Sequence, residues 1–354
     1  VQGFFREKPV MRALVIHAPR DLRVEPVETP DLGPRDVRVR VEAGGICGSD
    51  LHYYLDGGFG RIRLREPMIL GHEVAGRVES VGAEVTRVVP GDRVAIDPSR
   101  PCGRCRYCLE GRAQHCTDMK FYGSAMRFPH VHGGFRDVLV IEESQAVPVG
   151  KDVSAAEAAF AEPLAVCLHA ISRAGALFGK RVLITGSGPI GALVALAARR
   201  AGAIEIVATD IASAPLETMR RIGVDRAIDV TAEPEALRTY EVEKGYFDVM
   251  FEASGAGRAL VGALEAIRPG GTIVLVGVGG EVGLPIDRIV AKELEIRGTF
   301  RFFTEFALAA DFISRRLVDV RPLLTETMPL DRAVEAFELA RDRSRAMKVQ
   351  LSFA

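Results

Sequence analysis

The chain contains no tryptophan, and only 6% of its residues are aromatic. A surface that stacks nucleic-acid bases on aromatic rings is therefore not expected. Neither sign of charge is in excess: 46 Lys and Arg face 47 Asp and Glu, a formal net charge of −1. Nothing draws the molecule as a whole to nucleic acid or to an anionic membrane surface. It also lacks an uninterrupted apolar run of about 18 residues, the length that crosses a bilayer as a helix. The nearest stretch, VLITGSGPIGALVALAA from Val182, is broken by Ser, Gly and Pro. No leader pattern of basic, apolar and small residues opens it. The expectation is a cytoplasmic protein with reduced thiols and no membrane partner. Internal repeats and low-complexity tracts are missing too. What is there suits a globular protein: 354 residues, 48% hydrophobic and 26% charged. That length allows about two domains of roughly 150 residues. Residues 1–10, VQGFFREKPV, precede a regular alternation that starts at Met11 and read as an extension outside the fold.

Four of the six cysteines fall in CGRCRYCLEGRAQHC, spaced Cys102-x2-Cys105-x2-Cys108-x7-Cys116. Neighbours this close rarely reach disulfide geometry without strain. As thiolates they can close a tetrahedral shell around one zinc, leaving no open position. Such a site is structural and folds a loop too poor in apolar residues to fold itself. The competing readings are unrelated thiols, a redox cluster, or a nucleic-acid-binding zinc ribbon. The neutral charge argues against the last.

From Met11 to about Pro148 the chain alternates in short strands such as DVRVRVEAGGI and VAGRVESVG, punctuated by Gly and Pro. This predicts a compact, barrel-like β domain. At Ser154 the pattern becomes helical and Ala-rich. From Lys180 strands and helices alternate: RVLITG, PIGALVALAARRAG, EIVATD, LETMRRIG, FDVMFEASG, ALVGALEAIRPGG, TIVLVGVGG. That series predicts an α/β unit with a parallel, doubly wound sheet. Two further helices, around EFALAADFISRRL and DRAVEAFELARD, and a last strand MKVQLSF close the chain.

Between RVLIT and its following helix stands GSGPIG, with Gly186, Gly188 and Gly191 spaced G-x-G-x-x-G and Pro189 and Ile190 opening the helix. Strand before and helix after are the context this motif requires for binding a dinucleotide. The glycines permit a tight turn and close approach of a pyrophosphate, and the helix N-terminus supplies donors and positive dipole. Asp210 ends the next strand, where an acid accepts from the ribose hydroxyls of NAD and repels the extra phosphate of NADP. Ile211, Ala212 and Ser213 offer no cation for that phosphate. NAD is the expected cofactor, with NADP tolerated.

A catalytic zinc takes three protein ligands and keeps one position open. Cys47 in GGICGSDLHYY, His72 and Glu73 in LGHEVAG, and Glu162 in FAEPLAVCLHA supply the right groups, but they lie far apart in sequence. Each also has a plainer reading. Cys47 and His72 could be core residues, and Glu162 a helix cap.

GHEVAGRVESVG, VPGDRVAI, the four-cysteine lobe, AEPLAV and GSGPIG, in this order, resemble the zinc-dependent medium-chain dehydrogenases, in the polyol branch. The resemblance runs from Met11 onward. It implies a GroES-like, β-barrel-type catalytic domain made of residues 1–160 and 297–354. A Rossmann NAD-binding domain of residues 161–296 is inserted in it, with the substrate in the cleft between them. It implies two zincs per chain, one structural at the four cysteines and one catalytic at Cys47, His72 and Glu162, with Glu73 binding directly or through water. Ser49 matches a hydroxyl that bonds the alcohol, and His52 a next step for its proton. Tyr53, Arg127 and Arg301 are candidate substrate contacts, though His52 and Arg301 have plain surface readings, Arg301 as a partner of Glu305. Tyr122, His130 and His132 lie on neighbouring segments. GGICGSDLHYY, CTDMKFYGSAMRFPHVHGGF and GTFRFFTEF resemble the branch's sugar-acid enzymes more than its sorbitol or threonine enzymes. The implied substrate is L-idonate, oxidised to 5-dehydro-D-gluconate. Sorbitol, xylitol and L-threonine are alternatives, and a non-catalytic dinucleotide-binding zinc protein is the rival of another class. A homodimer or homotetramer is implied as well.

Overall fold

The computed structural model describes residues 10–353, so residues 1–9 of the expected extension lie outside the described residues. Val10 already belongs to the first strand, paired with Glu28. The chain divides into two compact units. The first runs to Glu162 and takes in Glu326–Glu338 and the chain from Val349. The second comprises Pro163–Thr325 and Leu339–Lys348.

The first unit is built of antiparallel strands. Asp36–Gly45 pairs with Glu73–Val81, which pairs with Arg93–Ile96, which pairs with Ala146–Pro148. Val138–Glu142 and Gln350–Ser352 also pair with Asp36–Gly45. Val37, Val39 and Val41 alternate into the core and are fully buried, the period-two pattern of a half-buried strand. At Ala43–Ile46 the alternation gives way to continuous burial. Phe135 lies across Gly44, where a Cβ would come within 2.7 Å of its ring. The strand therefore delivers Cys47 at the edge of a packed interior.

The second unit holds a six-stranded parallel sheet. Its order is Arg226–Asp229, Glu205–Asp210, Arg181–Thr185, Phe247–Glu252, Ile267–Leu275, Glu295–Gly298. Leu183, Val207, Met250 and Ile273 form its interior. Strands covered on both faces read as near-continuous apolar runs, as VLIT and VMF do. The strand order reverses between Arg181–Thr185 and Phe247–Glu252, the switch point where ligands of such sheets bind.

These units differ from the expected division at residue 297. Residues 297–325 and 339–348 go with the parallel sheet. Glu295–Gly298 is one strand and cannot be cut at residue 297. Arg297 Nη1 donates to Arg173 O (2.8 Å), and Arg173 Nε to Gly298 O (3.1 Å). His169 Nδ1 meets Glu305 Oε1 at 2.8 Å and fixes helix Glu305–Ser314 to helix Ala161–Ala174. The helical stretch Ala155–Ala174, rather than the one from Val182, is long and apolar enough to cross a membrane, but most of it is buried inside the fold.

Candidate functional site

Two groups of metal-ligating side chains form among the described residues. In the first, the sulfurs of Cys102, Cys105, Cys108 and Cys116 lie within 4.8 Å of one another. All four thiols are free, so the disulfide reading falls. Backbone donors point at the sulfurs: Cys102 N–H at Cys116 Sγ (3.2 Å), Cys105 N–H at Cys102 Sγ (3.3 Å) and Asp118 N–H at Cys116 Sγ (3.3 Å). The backbone N–H groups of Cys108 and Thr117 pull the Cys105 thiol down to about 6. Burial, with Cys105 and Cys116, pushes Cys108 up to about 12. Two of the clustered thiols are held toward the thiolate, Cys102 and Cys105, and two away from it, Cys108 and Cys116; a dication would compensate the charge of all four, and a closed S4 set fits structural zinc.

The second group is Cys47, His72 and Glu73, whose ligand atoms also lie within 4.8 Å of one another. Cys47 caps helix Gly48–Asp56, and Glu73 opens the strand Glu73–Val81 directly after His72. His72 and Glu73 are buried, and Cys47 half-buried. His72 Nδ1 is buried without a hydrogen-bond partner, 3.8 Å from Asp50 Oδ1. Phe121 stacks at an angle beside the imidazole, 5.8 Å between centroids. A thiol, an imidazole and a carboxylate converging in a buried corner fit a zinc with an open position. Glu162 stands outside this set. It is buried in the first turn of helix Ala161–Ala174, in the same unit.

Sequence reasoning passed over Asp50. It is fully buried, and its carboxylate accepts Cys47 N–H (3.0 Å) and Gly71 N–H (3.2 Å) while facing His72. Burial pushes this carboxyl up, opposed by the His72 charge and the two backbone donors. One residue thus fixes the backbone at Cys47 and beside His72. The signal was available: Asp50 stands three residues after the helix cap, the spacing of a capping box.

The other expected residues are placed as follows. Ser49 is half-buried in the first turn of helix Gly48–Asp56. His52 is exposed, with Nδ1 3.5 Å from Asp56 Oδ2 one turn on. Tyr53 is 1% exposed, and its hydroxyl oxygen accepts Ala125 N–H at 2.9 Å, so it anchors the loop 124–131 from the core. Arg127 on that loop is ion-paired with Asp118. His130 Nε2 accepts Arg65 N–H (2.9 Å), and His132 Nδ1 accepts Ile69 N–H (3.2 Å), both as loop packing. Arg301 belongs to the second unit, at positive φ with its guanidinium 5.0 Å from the Phe300 ring centroid. Glu305 engages His169 and Phe303 N–H.

The dinucleotide loop is assembled at the switch point of the parallel sheet. Gly186 has φ +89°, and a Cβ there would lie 2.6 Å from Ser254 N. Gly191 brings helix Pro189–Arg200 so close that a Cβ would lie 1.9 Å from Gly186 O. Gly188 caps that helix and has nothing within 4 Å of its Cβ position. Pro189 and Ile190 form the first turn, where a proline forfeits no hydrogen bond. The three glycines thus serve the turn, the packing and an open approach to the helix N-terminus. Asp210 accepts Ser187 N–H (2.7 Å), Ile211 N–H (2.7 Å) and Ala212 N–H (3.0 Å).

Family models match both parts. An alcohol dehydrogenase GroES-like domain matches residues 33–151, and a zinc-binding dehydrogenase model matches residues 189–315. The chain is 42% identical over 327 residues to L-idonate 5-dehydrogenase (NAD(P)(+)) of Escherichia coli (strain K12), covering 92% of this chain and 94% of the relative. It is 36% identical over 341 residues to human sorbitol dehydrogenase, covering 94% and 93%. The crystal structure of L-idonate 5-dehydrogenase from Escherichia coli str. K-12 substr. MG1655 superposes with a TM-score of 0.92 at 40% identity, over 98% of this chain and 99% of that one.

Proposed function

Since the chain belongs to the zinc-dependent medium-chain dehydrogenase family, we propose that it oxidises the secondary alcohol of a sugar acid with NAD(P), L-idonate giving 5-dehydro-D-gluconate. The observation that carries this reading is the buried convergence of Cys47, His72 and Glu73. The 42% identity to an L-idonate enzyme supports the substrate. The 36% identity to sorbitol dehydrogenase favours a polyol such as sorbitol or xylitol as the second reading. A cytoplasmic homodimer or homotetramer is part of the proposal.

A zinc held there would supply Lewis acidity toward the alcohol oxygen, and a bound nicotinamide would be the hydride acceptor. Cys47, His72 and Glu73 would hold that metal, with Glu162 as the further carboxylate of the same unit. Asp50 keeps Cys47 and His72 in place through two backbone N–H groups and its approach to the imidazole. Ser49 takes part in proton transfer at its hydroxyl, and His52, exposed and beside Asp56, passes the proton to solvent. Cys102, Cys105, Cys108 and Cys116 would hold the structural zinc. Gly186, Gly188 and Gly191 seat the pyrophosphate, and Asp210 favours NAD over NADP.

The test is NAD reduction by the purified protein on L-idonate, D-gluconate, sorbitol, xylitol and L-threonine, each with chelator and with zinc restored. Turnover on L-idonate alone, lost on chelation and recovered with zinc, is expected. Preference for sorbitol or xylitol would keep the chemistry and replace the substrate. Silence on every alcohol in both directions, with zinc present, would overturn the reading in favour of a non-catalytic role.

A further inference from the structure

Buried charges in this fold are generally answered. Lys292 Nζ donates to Leu264 O, Glu265 O and Ile267 O and pairs with Glu265. Glu252 accepts the N–H groups of Ser254 and Gly255. Arg136 differs. It is 8% exposed, and its one side-chain hydrogen bond among the described residues runs from Nε to Gly133 O (2.9 Å). Among the described residues no carboxylate pairs with its guanidinium, and both Nη groups keep their donors. Burying a cation without a counter-charge is costly, so such a group is expected to find one.

The position of Arg136 is fixed. Gly133, Gly134 and Phe135 donate their N–H groups to Ile69 O (2.7 Å), Gly71 O (2.8 Å) and Leu70 O (2.9 Å), and Arg136 N–H donates to Gly134 O (2.8 Å). Gly133 has no room for a Cβ, which would lie 2.2 Å from Leu70 O. Tyr122 and His132 are the ionisable groups that feel the guanidinium charge. His132 Nδ1 accepts Ile69 N–H, so its Nε2 carries the ring proton and is a donor. Burial lowers the Arg136 guanidinium only to about 10, which leaves it charged at neutral pH. Two parallel Nη donors match the two oxygens of a carboxylate or phosphate.

We propose that Arg136 is the cationic floor of an anion site that takes a carboxylate or phosphate group beside Tyr122 and His132. The anion is either a free one or the carboxylate of a bound sugar acid. The second source rests on the function proposed above.

The test is thermal melting of the whole metal-loaded enzyme, held at saturating NAD so that the dinucleotide loop is already filled, against inorganic phosphate at constant ionic strength. The arms are wild type, Arg136→Met, Arg136→Lys, and Arg35→Gln as an exposed, paired arginine of the same unit. Without phosphate, Arg136→Met melts as high as wild type or higher, since an unpaired buried charge is gone. Phosphate raises the melting temperature of wild type and Arg35→Gln, raises Arg136→Lys less, and leaves Arg136→Met unmoved. An equal phosphate response in wild type and Arg136→Met overturns the proposal. So does an Arg136→Met deficit that is the same at every phosphate concentration, which marks a structural role. The sources separate in kinetics. A rise in KM of about tenfold or more for L-idonate in Arg136→Met, with sorbitol unchanged, assigns the site to the substrate carboxylate. An unchanged KM ratio with the melting response intact assigns it to a free anion. Because melting does not depend on turnover, failure of the substrate reading leaves the anion site testable.

Discussion

Adding one methyl group at Gly191 and another at Gly188 should have opposite consequences, although both glycines belong to one motif. At Gly191 a Cβ would lie 1.9 Å from Gly186 O. Real Cβ atoms do not come within 3.0 Å of such a neighbour, so helix Pro189–Arg200 and the loop must part by about 1.1 Å. Neither side yields easily, because Gly186 O is backbone and Ala192, Leu193 and Val194 on the same helix are fully buried. Overpacking of this kind costs roughly 1–3 kcal/mol. Gly191→Ala should therefore lower the melting temperature by roughly 2–12 °C, as well as weaken NAD binding. At Gly188 φ is −64° and nothing lies within 4 Å of the Cβ position. The loss of glycine at the cap and the gain in chain stiffness offset each other to within roughly 1 kcal/mol. Gly188→Ala should melt close to wild type while its KM for NAD rises about tenfold or more, the methyl standing where the pyrophosphate meets the helix. Melting curves and initial rates at varied NAD on the two variants check this. A Gly188→Ala enzyme with wild-type KM for NAD, or a Gly191→Ala protein that melts like wild type, would refute the division of labour.

Two further perturbations follow from the charged groups. Asp210→Asn removes the charge that repels a ribose phosphate, so the NADP-to-NAD ratio of kcat/KM should rise roughly tenfold; an unchanged ratio would take cofactor choice away from this residue. Burial raises the Asp97 carboxyl from 3.8 to about 6. The folded state then binds that proton more tightly, so the contribution is full below pH 3.8 and is lost as pH rises through 6, at a cost on the order of 3 kcal/mol. Asp97→Asn keeps an acceptor for Ser99 N–H (2.8 Å in the parent). Its urea midpoint should exceed that of wild type above pH 6 and converge with it below pH 4. A difference independent of pH would show that Asp97 is not the titrating group.

Much of this protein was legible in one dimension because its signals are local. Cys102, Cys105, Cys108 and Cys116 lie close enough along the chain that spacing alone brings their sulfurs within reach, and the structure gathers all four. The strand, G-x-G-x-x-G loop and helix from Arg181 to Arg200 specify their own turn, since glycine is required wherever a Cβ would strike backbone. Alternation at Val37, Val39 and Val41 set the buried face of a strand.

What spacing could not decide were contacts between distant segments. Residues 297–354 were expected in one domain with residues 1–160; Glu326–Glu338 and the chain from Val349 do join that unit, but hydrogen bonds of Arg173 to Gly298 and of His169 to Glu305, each spanning more than a hundred residues, tie residues 297–325 to the second. Two glutamates competed as metal ligands. Glu73, which opens the strand directly after His72, has its carboxylate within 4.8 Å of the Cys47 and His72 ligand atoms. Arg127 looked available for a carboxylate until the fold brought Asp118 against it. Arg136, not singled out along the chain, is among the described residues the arginine that remains buried without an acid. The sequence by itself determined the elements, the cysteine cage and the cofactor loop, because each is fixed by neighbours along the chain. Only the tertiary structure decided which charges are paired, because pairing depends on which segments the packed core brings side by side.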